Sequence, residues 1–332
     1  MNIIITLILV LISANLLTSL GSKIKVPRVV SLILCGLLLD IPSIRSVLIA
    51  QNTAFLLSIG DIALICLMFM AGLESSWRIM YKERKDAVFI AVFAFLFPFL
   101  LGFAVFRMMG FSLLVSSIVG ISMSITAEAT KARVLLDLKK LRTKVGSAMM
   151  GAGIIDDILG LSLFILVTYL LKVAYLKEDI LIAGAIISFF IGILVQKNIG
   201  RKHIVVHKLE KAFLCFIIPF FFVSVGLNFD INSLVLNQGI LLLVLIIAVA
   251  GKLIGTFLTK PFTRFSWKQL HLIGWSMNSR GAVEMALALI AFRSSLIPVE
   301  IYSSLVIMAL ITTLIFPFII IAMVKKDPKI MG

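Results

Sequence analysis

Apolar stretches of about twenty residues follow one another along the whole chain, separated by short polar connections. Eleven can be drawn, at roughly 2–21, 27–41, 54–74, 86–108, 111–137, 145–171, 179–197, 210–228, 238–259, 268–292 and 297–324. A helix that crosses a bilayer needs about 20 predominantly apolar residues. The pattern therefore predicts an all-α polytopic membrane protein of about eleven spans. The first stretch has no basic region before it and no small-residue cleavage site, so it reads as a retained span and not as a signal peptide.

Composition supports this and removes other classes. The chain of 332 residues is 61% hydrophobic and only 14% charged, outside the range of soluble domains. A formal net charge of +15 would suggest a nucleic-acid partner in a soluble protein. Here no nucleic acid is expected, because the bases cluster in alternate connections. Those after odd-numbered stretches carry Lys23, Lys25 and Arg28; Arg78, Lys82, Arg84 and Lys85; Lys131, Arg133, Lys139, Lys140, Arg142 and Lys144; Lys197, Arg201, Lys202, Lys208 and Lys211; Lys260, Arg264 and Lys268; and finally Lys325, Lys326 and Lys329. The intervening ones carry only Arg45, Arg107, Lys172, Lys177 and Arg293. Basic loops face the cytoplasm, which predicts a multi-pass cell-membrane protein with its N-terminus outside and its C-terminus inside. Cys35, Cys66 and Cys215 lie in apolar stretches and read as packing residues, with no metal cluster expected.

The candidate chemistry lies in charges inside these stretches. Gly153-Ile-Ile-Asp-Asp-Ile-Leu-Gly-Leu161 places Asp156 and Asp157 side by side, with no lysine or arginine from Val145 to Leu171. One charge at the bilayer centre costs at least about 2.5–3.5 kcal/mol. Two adjacent carboxylates also repel, so they share protons or find a cation. The pair predicts a proton and ion site, against the alternative of a buried structural pair. Two bases, Lys252 and Arg280, also fall inside stretches.

A repeat organises these positions. Met68–Leu73 resembles Phe222–Leu227, and Val29–Gly36 resembles Ala185–Gly192. Gly36 precedes Gly72 by 36 residues and Gly192 precedes Gly226 by 34; Thr126 and Arg280 each follow the later glycine by 54. Two repeats result, at about 22–171 and 179–324. Five helices in each is an odd number, so the copies run in opposite senses, as inverted repeats do. Ser122–Thr130 and Trp275–Gly281 put hydroxyls, Glu128, Asn278 and Arg280 at mid-span and predict breaks in the fifth and tenth helices. Unwound backbone at that depth offers free carbonyls to a cation, with half-helix ends supplying partial charges.

Taken in order, Phe69–Glu74, Ser124–Ala127 leading into Val134–Leu138, Asp156–Gly160, Pro219–Leu227, Gly251–Gly255 and Ser279–Glu284 resemble the cation/proton antiporter superfamily. Within it they resemble the electrogenic, two-aspartate sodium/proton branch. The resemblance covers nearly the whole chain. It implies an inverted-repeat fold with two crossing broken helices, and Asp157 as the main cation and proton carrier. It also implies Asp156 paired with Lys252, breaks around Thr126 and Arg280, and a homodimer. Two departures stand out. About two helices are missing between Leu171 and Asp179, and Glu128 occupies a position that is small or apolar in the family. No soluble regulatory domain is expected after Lys325.

On this reading Asp157, the hydroxyls of Thr126 and Ser124, and freed carbonyls are the candidate ligands for a monovalent cation. Cation and protons compete for one site that faces alternate sides as one bundle rocks against another. Lys252 is the charge partner of Asp156, or else snorkels to headgroups. Arg280 neutralises helix ends, or pairs with Glu284 one turn on or with Glu128. Glu128, Asn278 and Glu284 are read as structural polar groups of the breaks, with Glu128 a dipole partner at the start of a half-helix or else a direct participant in transport. Asp61 lines an outer vestibule or only packs. His203 and His207 stand at the spacing of a metal pair but have no third ligand, and His271 is a candidate pH sensor. The function expected is exchange of Na+ (or Li+) for protons. The alternatives are K+/H+ exchange, sodium-coupled uptake of an organic solute, or a non-transporting scaffold. No cofactor beyond the transported ions is expected, and no enzyme, since phosphate loops, zinc ligand sets and nucleophile–base pairs are absent from the sequence.

Overall fold

The computed structural model is all-helical and describes residues 2–24, 26–74, 84–171, 179–199 and 204–331. In chain order, α1 (Ile3–Lys23), α2 (Arg28–Leu39), α3 (Pro42–Leu48) and α4 (Thr53–Glu74) come first. Next are α5 (Arg84–Met108), α6 (Leu113–Ser124), α7 (Glu128–Asp137) and α8 (Lys144–Leu170). Then come α9 (Asp179–Asn198), α10 (Ile204–Ala212) and α11 (Ile218–Leu227). The chain ends with α12 (Ile231–Leu236), α13 (Gln238–Leu258), α14 (Trp267–Ser276), α15 (Ala282–Arg293) and α16 (Val299–Lys326). Helix occupies each of the eleven apolar stretches. Among the described residues, eight helices are long and apolar enough to cross a membrane, or nine if α2 and α3, bent by 86° at Asp40–Ile41, count as one. Pro42 opens α3 and turns the chain there, at the end of the second stretch.

The chain divides into two compact units, Met1–Glu74 with Glu178–Phe229, and Ser75–Lys177 with Asp230–Gly332. In the first, α2 packs on α11 and α4 on α9. Both contacts close on glycine. A Cβ on Gly36 would lie 2.8 Å from Gly226 Cα, and one on Gly72 would lie 3.0 Å from Gly192 Cα, with backbone carbonyls closer still. Small residues allow helices to approach this closely where lipid supplies no hydrophobic drive between them. The sequence match equates Gly36 with Gly192 and Gly72 with Gly226. Each contact therefore joins the early glycine of one repeat to the late glycine of the other. Exchanging the matched glycines turns one contact into the other, as a two-fold relation between the two segments requires.

Pro219 shapes the last helix of this unit. Lacking an N–H, it frees a carbonyl one turn back, and the preceding Phe213–Ile217 winds as a π-helix. The Arg28 guanidinium donates to the Leu214 carbonyl at 2.6 Å, so this basic residue, counted above with a connection, is tied to a helix break.

In the second unit α5 lies against α6, α8 and α13. An apolar cluster gathers Ile90, Ala94, Val134, Leu135, Val145, Met149, Phe265, Leu270, Ile273, Met277 and Phe316, with Ile330 and Met331 folded in. Lys140 Nζ donates to Pro328 O at 3.2 Å and Gln269 Nε2 to Ile330 O at 3.1 Å, which pins that segment down.

Candidate functional site

Both breaks lie in the second unit. Helix α6 stops at Ser124, residues 125–127 run extended, and α7 starts at Glu128. Helix α14 stops at Ser276, and α15 starts at Ala282. Neither break contains proline. Each is held open by what its backbone bonds to. Ala127 N donates to Ser279 O at 2.8 Å, and Ser279 Oγ returns a bond to Ala127 O at 2.9 Å. A Cβ on Gly281 would strike the Ala127 methyl, so glycine lets the two strands cross.

A helix end leaves its last carbonyls unsatisfied and carries partial negative charge. Two cations meet that end of α6. Arg280, fully buried, donates through Nη2 to Met123 O at 2.7 Å and through Nη1 to Ser122 O at 3.3 Å and to Ile125 O. Lys252, also fully buried, donates to Ser124 O. The N-terminal turns of the following half-helices carry the opposite sign, with Glu128 on α7 and Glu284 on α15.

Asp156 and Lys252 form the centre. Their side chains are 0% exposed and 2.9 Å apart. Lys252 Nζ also donates to Thr126 Oγ1 at 2.8 Å. The Thr126 hydroxyl bonds to Asp156 Oδ2 and lies 3.1 Å from Met277 O. Asp156 Oδ1 has no hydrogen bond among the described residues. Asp157, 3% exposed, follows on the same helix. Lys252 thus reaches inward to Asp156 and does not snorkel.

Arg280 stands 3.7 Å from Glu284 Oε2. Glu128 is taken by Lys131, at 2.7 Å, with both side chains buried. Lys131 was counted with the basic connections, and this is a correction: it lies on the buried stripe of α7 with Glu128, Val134 and Leu135. The signal that could have found it is its i,i+3 spacing from Glu128. Lys131 also donates to Met149 O at 3.1 Å. The crossing therefore holds four buried carboxylates (Asp156, Asp157, Glu128, Glu284) against three buried bases (Lys131, Lys252, Arg280), an excess of one negative charge if all are ionised.

The remaining candidates are placed less centrally. The Ser124 hydroxyl turns back to Gly120 O at 2.8 Å, so this residue offers the site its carbonyl. Asn278 Nδ2 bonds to Gly274 O at 3.0 Å and braces the end of α14. Asp61 lies in the other unit, partly buried. His207 is exposed. His203, and with it the basic residues Lys25, Arg78, Lys82, Lys172, Lys177, Arg201 and Lys202, lie outside the described residues. His271 accepts a 3.0 Å bond from Trp275 Nε1.

A family model described as "Sodium/hydrogen exchanger, transmembrane" matches residues 5–194 and 164–326. The chain belongs to the sodium/hydrogen exchanger family. The exchanger is 27% identical to the "Na(+)/H(+) antiporter" of Enterococcus hirae, an alignment of 377 residues that covers 96% of this chain and 97% of that one. It is 26% identical to the "Na(+)/H(+)-K(+) antiporter GerN" of Bacillus cereus, over 93% of each chain. The first alignment is longer than the exchanger's 332 residues, so that relative carries segments with no counterpart here. The solved sodium proton antiporter MjNhaP1 of Methanocaldococcus jannaschii superposes with a TM-score of 0.70 and 18% identity, covering 98% of both chains, and shares the fold. The exchanger is a multi-pass monovalent cation/proton antiporter, a transporter and not an enzyme.

Proposed function

We propose that the exchanger swaps Na+, or Li+, for protons by alternating access, with Asp157 as the carrier and the Asp156–Lys252 pair as its charge partner. The observation that supports this best is the buried network of Asp156, Lys252 and Thr126 at the break, next to a second carboxylate on the same helix. A hard monovalent cation takes oxygen ligands, and this reading gives it the Asp157 carboxylate and the Thr126 hydroxyl, since the carbonyls of Ile125 and Ala127 already accept from Arg280 and Ser279. Counted with all seven groups ionised, the crossing carries one uncompensated carboxylate, which either a cation or a proton neutralises. Competition for that single charge is sufficient for exchange. A cation at Asp157 also weakens the neighbouring Asp156–Lys252 pair by its charge, and the weakened pair gives up a second proton. More than one proton per cation makes exchange electrogenic, as in the two-aspartate branch.

The same reading takes the chain as one transporter domain of eleven spans with repeats at about 22–171 and 179–324. It works as a homodimer in the cell membrane, with its N-terminus outside and its C-terminus in the cytoplasm. A second reading, K+/H+ exchange, is favoured by one observation, the potassium in the name of the Bacillus cereus relative. The test is proton flux in proteoliposomes with a pH dye inside, on addition of Na+, Li+, K+ or choline. Wild type alkalinises with the transported cation, and Asp157→Asn abolishes the response. Flux with K+ alone selects the second reading. Flux that survives Asp157→Asn refutes the carrier assignment.

A further inference from the structure

The Glu128–Lys131 pair cancels in the charge balance above and has been given no role of its own. It is fully formed and hidden, with 2.7 Å between the charges and side chains only 3% and 1% exposed. Stability does not account for it, since apolar residues of similar volume often replace a buried ion pair at no loss. The fold also makes room for it. A Cβ on Gly153 would run into Glu128 Oε1 and Lys131 Nζ. Gly153 lies three and four residues before Asp156 and Asp157 on α8, and such spacings share one helix face, about 5–6 Å apart at Cβ. The pair therefore lies one helical turn from both aspartates. Met277 links the two groups: its sulfur is 3.8 Å from Lys131 Nζ, and its carbonyl takes the Thr126 hydroxyl that bonds Asp156.

We propose that Glu128 and Lys131 are positioning residues that set cation affinity at the aspartates electrostatically. Lys131 opposes a cation there, Glu128 favours it, and together they hold affinity at an intermediate value that allows release. This rests on the proposed function. A unit charge about 6–10 Å from a bound cation, at an effective dielectric near 20, changes its affinity by roughly ten- to a hundredfold. The two charges must therefore act in opposite directions, whereas residues that only brace the fold would both lower activity when lost.

The experiment is Na+-dependent proton flux in proteoliposomes, read as half-saturating Na+ and maximum rate for wild type, Glu128→Gln, Lys131→Gln and the double variant, with choline as control. Glu128→Gln raises half-saturating Na+ about tenfold or more. Lys131→Gln lowers it by a similar factor and lowers the maximum rate, because release slows. The double variant returns to within about threefold of wild type. Shifts of the two single variants in the same direction overturn the proposal, as does a double variant that stays displaced. If a single variant fails to fold, the other direction and the return of the double still decide; a double that cannot fold makes the pair structural and overturns it too. Wild type without flux refutes the proposed function instead. The pair is then tested by Na+-dependent thermal stabilisation of the purified protein, where the same opposite shifts are required.

Discussion

Lys252→Met tests the core of the site most directly. The side chain is replaced by one of similar length without charge, so packing changes little and electrostatics change completely. Lys252 loses three acceptors at once: Asp156 Oδ2 at 2.9 Å, Thr126 Oγ1 at 2.8 Å and the Ser124 carbonyl. At 2.9 Å and an effective dielectric near 20, the Coulomb energy between Lys252 and Asp156 is about 6 kcal/mol. Desolvation of the two groups offsets much of that in the intact pair. Removing one partner leaves the other carboxylate buried and uncompensated, which costs about 3–5 kcal/mol. The assay is unfolding of detergent-solubilised protein for wild type, Lys252→Met and Asp156→Asn/Lys252→Met. The single variant loses about 3–5 kcal/mol, and the double recovers at least about half of it, because no stranded charge remains. A single-variant loss below about 1 kcal/mol, or a double no more stable than the single, refutes the buried pair. Lys252 would then reach solvent and not Asp156.

Other outcomes follow from the same geometry. Thr126→Val removes the hydroxyl between Lys252 and Asp156 at nearly constant volume, costing about 1–3 kcal/mol; it raises half-saturating cation in the flux assay more than it lowers maximum rate. Arg280→Gln strips the end of α6 of its guanidinium and leaves Glu284 buried beside a neutral amide, so it destabilises by about 3–5 kcal/mol in detergent unfolding. Arg280→Lys restores charge without the fork and recovers only part of that loss. Gly72→Ala and Gly192→Ala each drive a methyl into the opposing backbone; each destabilises the protein in detergent unfolding, by amounts within about 1 kcal/mol of each other, since they disturb one contact from its two sides.

The parts of the site legible in the sequence are those where polarity contradicts its surroundings. Asp156, Asp157, Lys252 and Arg280 stand out because a charge in an apolar stretch needs a reason, and the structure puts Asp156 with Lys252 and Arg280 on the end of α6. The breaks were visible as clusters of hydroxyls, Asn278 and Gly281. Lys131 was not legible, because α7 is short and runs into the basic residues Arg133, Lys139 and Lys140, so its charge read as one more solvated base. Its burial depends on Gly153, 22 residues away in the sequence. The spacing of the glycines revealed the repeat, but the crossed partnership of Gly36 with Gly226 and Gly72 with Gly192 is a property of three dimensions. Ser124 shows the reverse error: a hydroxyl at the right position is spent on its own helix, while its carbonyl faces Lys252.

The way α6 ends has a consequence for how the protein is made. Its terminal carbonyls are satisfied by side chains from far along the chain, Ser124 by Lys252 across 128 residues and Met123 by Arg280 across 157. Asp156 awaits the same lysine across 96. At about 5–20 residues per second, a ribosome needs roughly 6–25 s to supply Lys252 after Ser124 has left it. For that interval the first repeat is in or near the bilayer with bare carbonyls and an unmatched carboxylate, a state that lipid penalises heavily. A wet or protein-lined setting, with Asp156 protonated, lowers that cost until the second half is synthesised. Insertion of the first half is complete only when both halves are.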